Sequence, residues 1–286
     1  MALDFVKLHG LGNDFVVVDR RARGTPVPPA EVRALCDRHT GVGADGVLSL
    51  LRSERAALAM HVTNADGSFA EMCGNGLRCV VRYAIDRGLL DPQGGPVETG
   101  RGVLSCTVEP DGQVRVDMGR PILDPDQIRC RVASDRAISL PLQLGDALVA
   151  FTAVSMGNPH AIVFVDEGEP LSWAQRFGPE LERSPLFPQR TNAEFARVQT
   201  PDRIDLVVWE RGAGITQACG TGACATAVAA VLTGRSPAGA PLQVTLPGGV
   251  LRIVVEPDLS RVWMTGPAVE VFSGHLDRGG PKSSAG

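Results

Sequence analysis

Two stretches of the chain run through the same local sequence: Met72-Cys73-Gly74-Asn75-Gly76 and Ala218-Cys219-Gly220-Thr221-Gly222. Each carries a thiol, a glycine-x-glycine step, and then a segment that reads as helix, Leu77 to Asp86 in one case and Ala223 to Leu232 in the other. The likeness extends upstream. Asn64 and Glu210 each stand nine residues before their cysteine, Gly12-Asn13-Asp14 leads into the apolar run Phe15–Val18, and Gly157-Asn158-Pro159 leads into Ala161–Val165. The offsets are 146 residues between the cysteines and 145 between Asn13 and Asn158. Self-similarity at one long offset implies two copies of a single supersecondary unit rather than a solenoid. Two such halves are expected to pack about a pseudo-twofold, which would bring the two thiols face to face.

The position of each cysteine carries chemistry. Just outside a helix N-terminus, unpaired N–H groups and the positive end of the helix dipole stabilise anions; the expectation is a lowered thiol pKa and a place for a carboxylate. A single cysteine is by default a small buried hydrophobe, but a cysteine duplicated at a duplicated glycine-rich helix start is not explained that way. Cys79 and Cys224 make C-x5-C and C-x4-C spacings without zinc knuckles, so they read as core residues and no metal site is expected. Gly41-Val42-Gly43-Ala44-Asp45-Gly46 matches the dinucleotide-binding pattern letter for letter, yet a helix precedes it and a strand follows, the reverse of what that motif needs.

In chain order, Leu3–Leu8 and Phe15–Val18 read as strands, and Pro28-Pro29 opens a helix expected to run through His39. Val47–Leu51 and Leu58–Val62 read as strands before the turn Asn64-Ala65-Asp66-Gly67. The first cysteine helix has an apolar stripe of Leu77, Val80, Val81, Ala84 and Ile85, with Arg78, Arg82 and Asp86 placed off it and Gly88 as its cap. Beyond a linker at 120–126, a helix is expected from Leu171 to about Phe177, then an irregular Pro-rich stretch at 179–188 and a strand at Ile204–Trp209. The second cysteine helix has no charged residue from Gly220 to Gly234; apolar on every side, it should be buried on every side, a central helix wrapped by a mostly antiparallel sheet.

Bulk properties exclude several classes. A length of 286 residues suits two domains, and a formal charge of −4 with ordinary hydrophobic content gives no nucleic-acid or membrane surface. The first twenty residues lack the basic and apolar regions of a signal peptide, and no apolar run approaches spanning length, so a cytoplasmic protein is expected. Seven cysteines, an odd number, fit reduced thiols. Lysine occurs only at Lys7 and Lys282, in a strand and in the tail, which leaves no promising Schiff-base lysine for pyridoxal phosphate; no cofactor is expected.

Two opposed thiols over a bound carboxylate suit the inversion of an amino-acid α-carbon. One thiolate removes the α-proton from one face and one thiol returns a proton from the other. The helix ends would hold the carboxylate, onto which charge builds as the carbanion forms, and so favour the transition state over the ground state.

The chain resembles the diaminopimelate epimerases over nearly its whole length. The resemblance is carried by His9-Gly10-Leu11-Gly12-Asn13-Asp14-Phe15, Asn64-Ala65-Asp66-Gly67, Cys73-Gly74-Asn75-Gly76, Met156-Gly157-Asn158-Pro159-His160, Arg190-Thr191-Asn192, Glu210-Arg211-Gly212-Ala213-Gly214 and Ala218-Cys219-Gly220-Thr221-Gly222. It implies a cofactor-independent isomerase that interconverts LL- and meso-2,6-diaminopimelate for lysine and peptidoglycan precursor synthesis. It implies Cys73 and Cys219 as the acid/base pair, with Gly74, Asn75, Gly220 and Thr221 holding the reacting carboxylate. Asn13, Asn64, Asn158, Asn192, Glu210 and Arg211 then bind the rest of the substrate, while His160 and Glu210 tune the thiols.

The fold implied is α/β (α+β): two pseudo-symmetric halves, 1–120 and 121–265, each a sheet round a central helix, with the active site in the cleft between them. Residues 266–275 are expected to return to the first half and 276–286 to form a disordered tail. A homodimer with no nucleic-acid partner is implied as well.

Three departures stand out: Gly46 where many relatives have a substrate-contacting glutamine, Ile215 where a glutamate is frequent, and Phe272 in place of a tyrosine associated with dimer contacts. The alternatives are a proline or hydroxyproline racemase using the same two-thiol chemistry, a phenazine-type isomerase, which lacks the cysteine pair, and a thiol redox switch, which would leave the Asn/Arg set without purpose.

Overall fold

The computed structural model describes residues 3–277. In chain order the first elements are β1 (Leu3–Gly10), β2 (Asn13–Asp19), α1 (Pro29–Cys36), β3 (Gly46–Leu51), β4 (Leu58–Asn64), β5 (Phe69–Ala70), α2 (Gly74–Asp86), β6 (Gly94–Thr99) and β7 (Gly102–Val108). They are followed by β8 (Val114–Asp117), α3 (Pro125–Ile128), β9 (Leu140–Leu144), β10 (Ala147–Ser155), β11 (Pro159–Phe164), α4 (Pro170–Glu182), β12 (Asn192–Thr200), β13 (Arg203–Glu210) and β14 (Gly214–Ile215). Last come α5 (Gly220–Leu232), β15 (Leu242–Leu246), β16 (Gly249–Val255), β17 (Val262–Gly266) and β18 (Val269–Leu276). The chain divides into two compact units: one of Met1–Val114 with Pro267–Gly286, the other of Arg115–Gly266.

Both units are built alike. In the first, β1 pairs antiparallel with β18 and β2, β2 runs parallel to β3, β3 antiparallel to β4, and β4 parallel to β6, which turns back into β7. In the second, β10 pairs antiparallel with β9 and β11, β11 runs parallel to β12, β12 antiparallel to β13, and β13 parallel to β15, which turns back into β16. A parallel pair cannot be closed by a tight turn and needs a crossover. The crossovers are α1 and α2 in the first unit, α4 and α5 in the second.

The cysteine helices are the centres. α5 packs against β10, β11, β12, β15, β16 and β17, and its residues from Gly222 to Ala230 are buried all round; α2 packs against β1–β4, β6 and β18. Alanines at 223, 225, 227, 229 and 230 let the strands approach closely where larger side chains would overfill the space. The opposite sheet faces are covered by α1, over Phe5, Val16, Val18 and Val47, and by α4, over Phe151, Ala153, Ala161 and Phe195. Both central helices end in the same way. Gly88 and Gly234 take positive φ, Leu89 N–H bonds Ala84 O, and Arg235 N–H bonds Ala230 O, the six-to-one bond of a Schellman cap.

Four local expectations are corrected. α1 stops at Cys36 rather than His39, because the Asp37 carboxylate accepts the amides of His39 and Thr40 and turns the chain. α4 continues through Pro179 to Glu182; burial of Ala174, Phe177 and Leu181 on the sheet outweighs the backbone bond that proline removes. Arg78, placed off the apolar stripe, is nevertheless wholly buried. Leu276 lies in β18 opposite Leu3 rather than in a tail, and Asp277 is bonded by His275; the rest of that expected tail, 278–286, falls outside the described residues.

Candidate active site

Within the first unit, the start of β2, the start of β3 and the end of β4 lie at one end of the sheet, through the pairings Phe15 with Gly46 and Gly46 with Asn64. The N-terminus of α2 reaches the same place. Cys73 is its N-cap, in extended conformation, and its sulfur accepts the Gly76 N–H at 3.3 Å. Asn75, buried, donates to Asn13 Oδ1 at 3.1 Å, and Cys73 Sγ stands 4.0 Å from the same oxygen. Asn13 in turn donates to Asp45 Oδ2 at 2.8 Å. Cys73, Asn13 and Asn75 are thus brought together, with Gly74 in the buried first turn. Asn64 is exposed and donates to Ser68 Oγ at 2.9 Å rather than to another expected residue. At Gly46 a Cβ would lie 2.8 Å from the Thr63 carbonyl oxygen, so a side chain there would force the strands apart.

The second unit repeats the arrangement. Cys219 is the N-cap of α5; its sulfur accepts the Gly222 N–H at 3.4 Å and lies 3.6 Å from Thr221 Oγ1, with Gly220 buried beside it. His160 Nε2 is 3.0 Å from Asn158 Oδ1. Asn192 donates to Pro159 O and accepts the Arg211 N–H at 2.9 Å, tying the starts of β11 and β12 to the end of β13. Glu210 Oε1 accepts from Thr216 Oγ1 at 2.5 Å. Arg211 is exposed, and its guanidinium donates to Gln189 O at 3.2 Å.

Cys219 is electrostatically unlike the expectation of a simple lowering. Burial pushes Cys219 well above the ordinary thiol range, and the charges of Glu210 and Glu194 push the same way; the bonds from Thr221 and Gly222 oppose this without reversing it. The helix end was legible, but the enclosing walls and the two carboxylates come from other strands. Cys79 is pushed up to about 12, chiefly by burial, as suits a core thiol. None of the seven cysteines forms a disulfide. Among the described residues no group of three or more His, Cys, Asp or Glu could hold a metal ion.

Several residues at the site escaped sequence reasoning. Arg78 donates to Asn75 Oδ1 at 3.0 Å, to Gly74 O at 3.4 Å and to Pro267 O at 3.2 Å, so it fixes the first turn of α2. Asp45 holds Asn13. Glu194 bonds His160; its signal was the two-residue step from Asn192, which puts both side chains on one face of a strand.

The family model described as diaminopimelate epimerase matches residues 5–123 and 152–271. A diaminopimelate epimerase of Synechococcus sp. (strain JA-3-3Ab) is 50% identical over 279 residues, covering 95% of this chain and 97% of that protein. One from Desulfitobacterium hafniense is 46% identical over 282 residues, covering 96% and 98%. Among solved structures, a hydroxyproline epimerase from Agrobacterium vitis aligns with TM-score 0.68 at 15% identity over 96% of this chain and 91% of that one. A phenazine biosynthesis protein of Bacillus anthracis aligns with TM-score 0.70 at 16% identity over 96% and 99%. These two share the fold. The identities near one half, over nearly full length in both directions, settle the rest: the chain belongs to the diaminopimelate epimerase family.

Proposed function

We propose that this chain interconverts LL- and meso-2,6-diaminopimelate by proton transfer between two cysteines and the α-carbon, without a cofactor. The observation that carries the reading is the pair of N-cap cysteines, each followed by a buried glycine-bearing first turn at the same sheet end. In the reaction one thiolate takes the α-hydrogen as a proton, and the electron pair stays on carbon and spreads into the carboxylate. The opposite thiol then protonates the other face, so nothing is oxidised or reduced. First-turn amides at Gly74–Asn75 and Gly220–Thr221 meet the carboxylate as its charge grows. Burial favours the neutral form of Cys219, which suits it to donate the proton in one direction; the reverse reaction exchanges the roles of the two cysteines.

Asn13, Asn64, Asn158, Asn192, Glu210 and Arg211 are assigned to the substrate's ammonium groups and distal carboxylate, with His160 and Glu210 tuning the thiols. Lys7 is buried and ion-paired to Asp14, which argues against an imine-forming lysine there. The same reading places the enzyme in the cytoplasm, in lysine and peptidoglycan precursor synthesis. It also makes the enzyme a homodimer, for which β18 offers exposed Val269, Val271 and Phe272. No helix of the described residues is long and apolar enough to cross a membrane.

The test is α-proton exchange and epimerisation of LL-diaminopimelate in deuterated buffer with chelator and no added cofactor, beside Cys73→Ser and Cys219→Ser. Each variant should lose at least about 100-fold, since a hydroxyl is a far weaker acid than a thiol. Turnover of proline instead of diaminopimelate, or near-normal epimerisation by either variant, would overturn the proposal.

A further inference from the structure

A carboxylate outside the expected set stands behind Cys219. Glu194 on β12 is fully enclosed, as is His160 on the adjacent parallel strand β11, and Glu194 Oε1 lies 2.6 Å from His160 Nδ1. Its second oxygen, Oε2, is buried without a hydrogen-bond partner. A Cβ built on Gly222 would lie 3.0 Å from Glu194 Oε1 and 3.2 Å from Cys219 Sγ, so carboxylate and thiol crowd the same point of the first turn of α5. An ionised carboxylate with one unpaired oxygen is costly to bury unless a proton or a cation accompanies it. The imidazole is that companion: its other nitrogen faces Asn158 Oδ1 at 3.0 Å.

We infer that Glu194 is a positioning residue for proton transfer at Cys219: it clamps His160 through Nδ1, commits Nε2 to Asn158, and keeps one proton shared between carboxylate and imidazole behind the N-terminus of α5. The inference rests on the acid/base role proposed above for Cys219. While the proton is shared, the pair is neutral whichever partner holds it. Once it is lost, a negative charge faces the thiol and disfavours the thiolate. Burial raises the carboxyl of Glu194, which favours retention of that proton, while the charge of His160 opposes the rise.

Few other charges face the thiol. α5 has none, and neither do β10, β15 and β17. Arg252 on β16 and Arg197 on β12 alternate to the opposite sheet face from Leu251, Ile253 and Glu194. Glu210 at the end of β13 is the remaining carboxylate that acts on Cys219.

Glu194→Gln keeps the shape and removes the carboxylate that faces Cys219 as a negative charge once the shared proton is lost. Iodoacetamide labelling of Cys219 against pH, read by peptide mass, should shift its midpoint to lower pH, making labelling about tenfold faster below the native midpoint. In the same variant kcat should fall, with its pH profile displaced, while KM stays within about twofold, because the carboxylate is walled off from substrate. Glu194→Asp restores the charge but is too short to clamp His160, so it should return the labelling midpoint toward the native one without restoring kcat. A folded Glu194→Gln protein whose labelling curve superposes on the native one overturns the inference. The labelling decides it even if diaminopimelate is not turned over, so the two proposals fail separately. Should Glu194→Gln not fold, proton NMR of the native chain decides: a downfield imidazole proton lost in His160→Gln supports the clamp, and none between pH 5 and 9 overturns it.

Discussion

Lys7 and Asp14 show how much of this site rests on single residues set back from it. Lys7, buried in β1, pairs with Asp14 at 2.5 Å and also donates to Gly43 O. Arg38 donates to Asp14 and to Asp45, and Asp45 holds Asn13. Burial pushes the Asp14 carboxyl up, but the hydrogen bonds from Arg38 and Lys7 and the charge of Lys7 win, leaving it at about 2. A folded-state pKa below the unfolded value contributes stability that is fully present above about pH 4 and is lost as pH falls toward 2. Asp14→Asn should therefore cost on the order of 2 kcal/mol at neutral pH, with the gap to the native chain closing between pH 4 and 2. Urea melts at several pH values measure it; a gap constant across that window would show that the carboxylate charge does not bind the network. Arg211 makes the contrasting case. Exposed and bonded to a single carbonyl, Arg211→Ala should leave the melting temperature nearly unchanged yet cost about 1.5–3 kcal/mol in kcat/KM for diaminopimelate, as loss of a charged hydrogen bond does. An unchanged kcat/KM would remove Arg211 from the substrate site.

At the scale of elements, the two cysteine helices were legible because their signals are local. A capping cysteine, glycines in the first turn, a glycine just past the last, and an uncharged stretch in α5 all act within a few residues. What was not legible depends on partners far along the chain. Arg78 reads as a surface arginine by composition and sits at zero exposure, because Asn75, Gly74 and Pro267 supply acceptors that no local pattern announces. The upward push on Cys219 was missed for the same reason: it comes first from burial and then from the charges of Glu210 on β13 and Glu194 on β12. Buried charge is thus the class that periodicity misassigns, since burial follows from partners rather than from hydropathy. Arg78→Met tests the point. It keeps the volume but leaves three acceptors without their donor, which should cost about 3 kcal/mol or more in denaturant unfolding and lower kcat by loosening Asn75. If stability were unchanged, Arg78 would be a passenger in the core rather than the anchor of α2.

For the whole molecule, the repeat in the sequence and the order of the chain do not coincide. β9 stands beside β10 as its hairpin partner, whereas the strand in the corresponding place beside β1 is β18, from the other end of the chain. Its register runs from Leu3 opposite Leu276 to His9 opposite Val269, and Phe272 sets its ring edge-on to Phe5 at 6.1 Å. At Gly274 a Cβ would come within 2.5 Å of the Phe5 ring, so β18 lies flat over that residue. The first unit is therefore complete only when the last strand has been made. Ending the chain at Gly266 would strip the backbone partners from one edge of β1, uncover Phe5 and Leu3, and take the Pro267 carbonyl from Arg78. An unpaired hydrophobic edge is a template for aggregation. The shortened chain should lose the cooperative unfolding of the first unit. Hydrogen exchange localises the effect: amides of β1 and β2 should lose protection in the shorter chain while those of β11 and β12 keep theirs. Equal protection of both sets would mean that the first unit closes without its C-terminal strand.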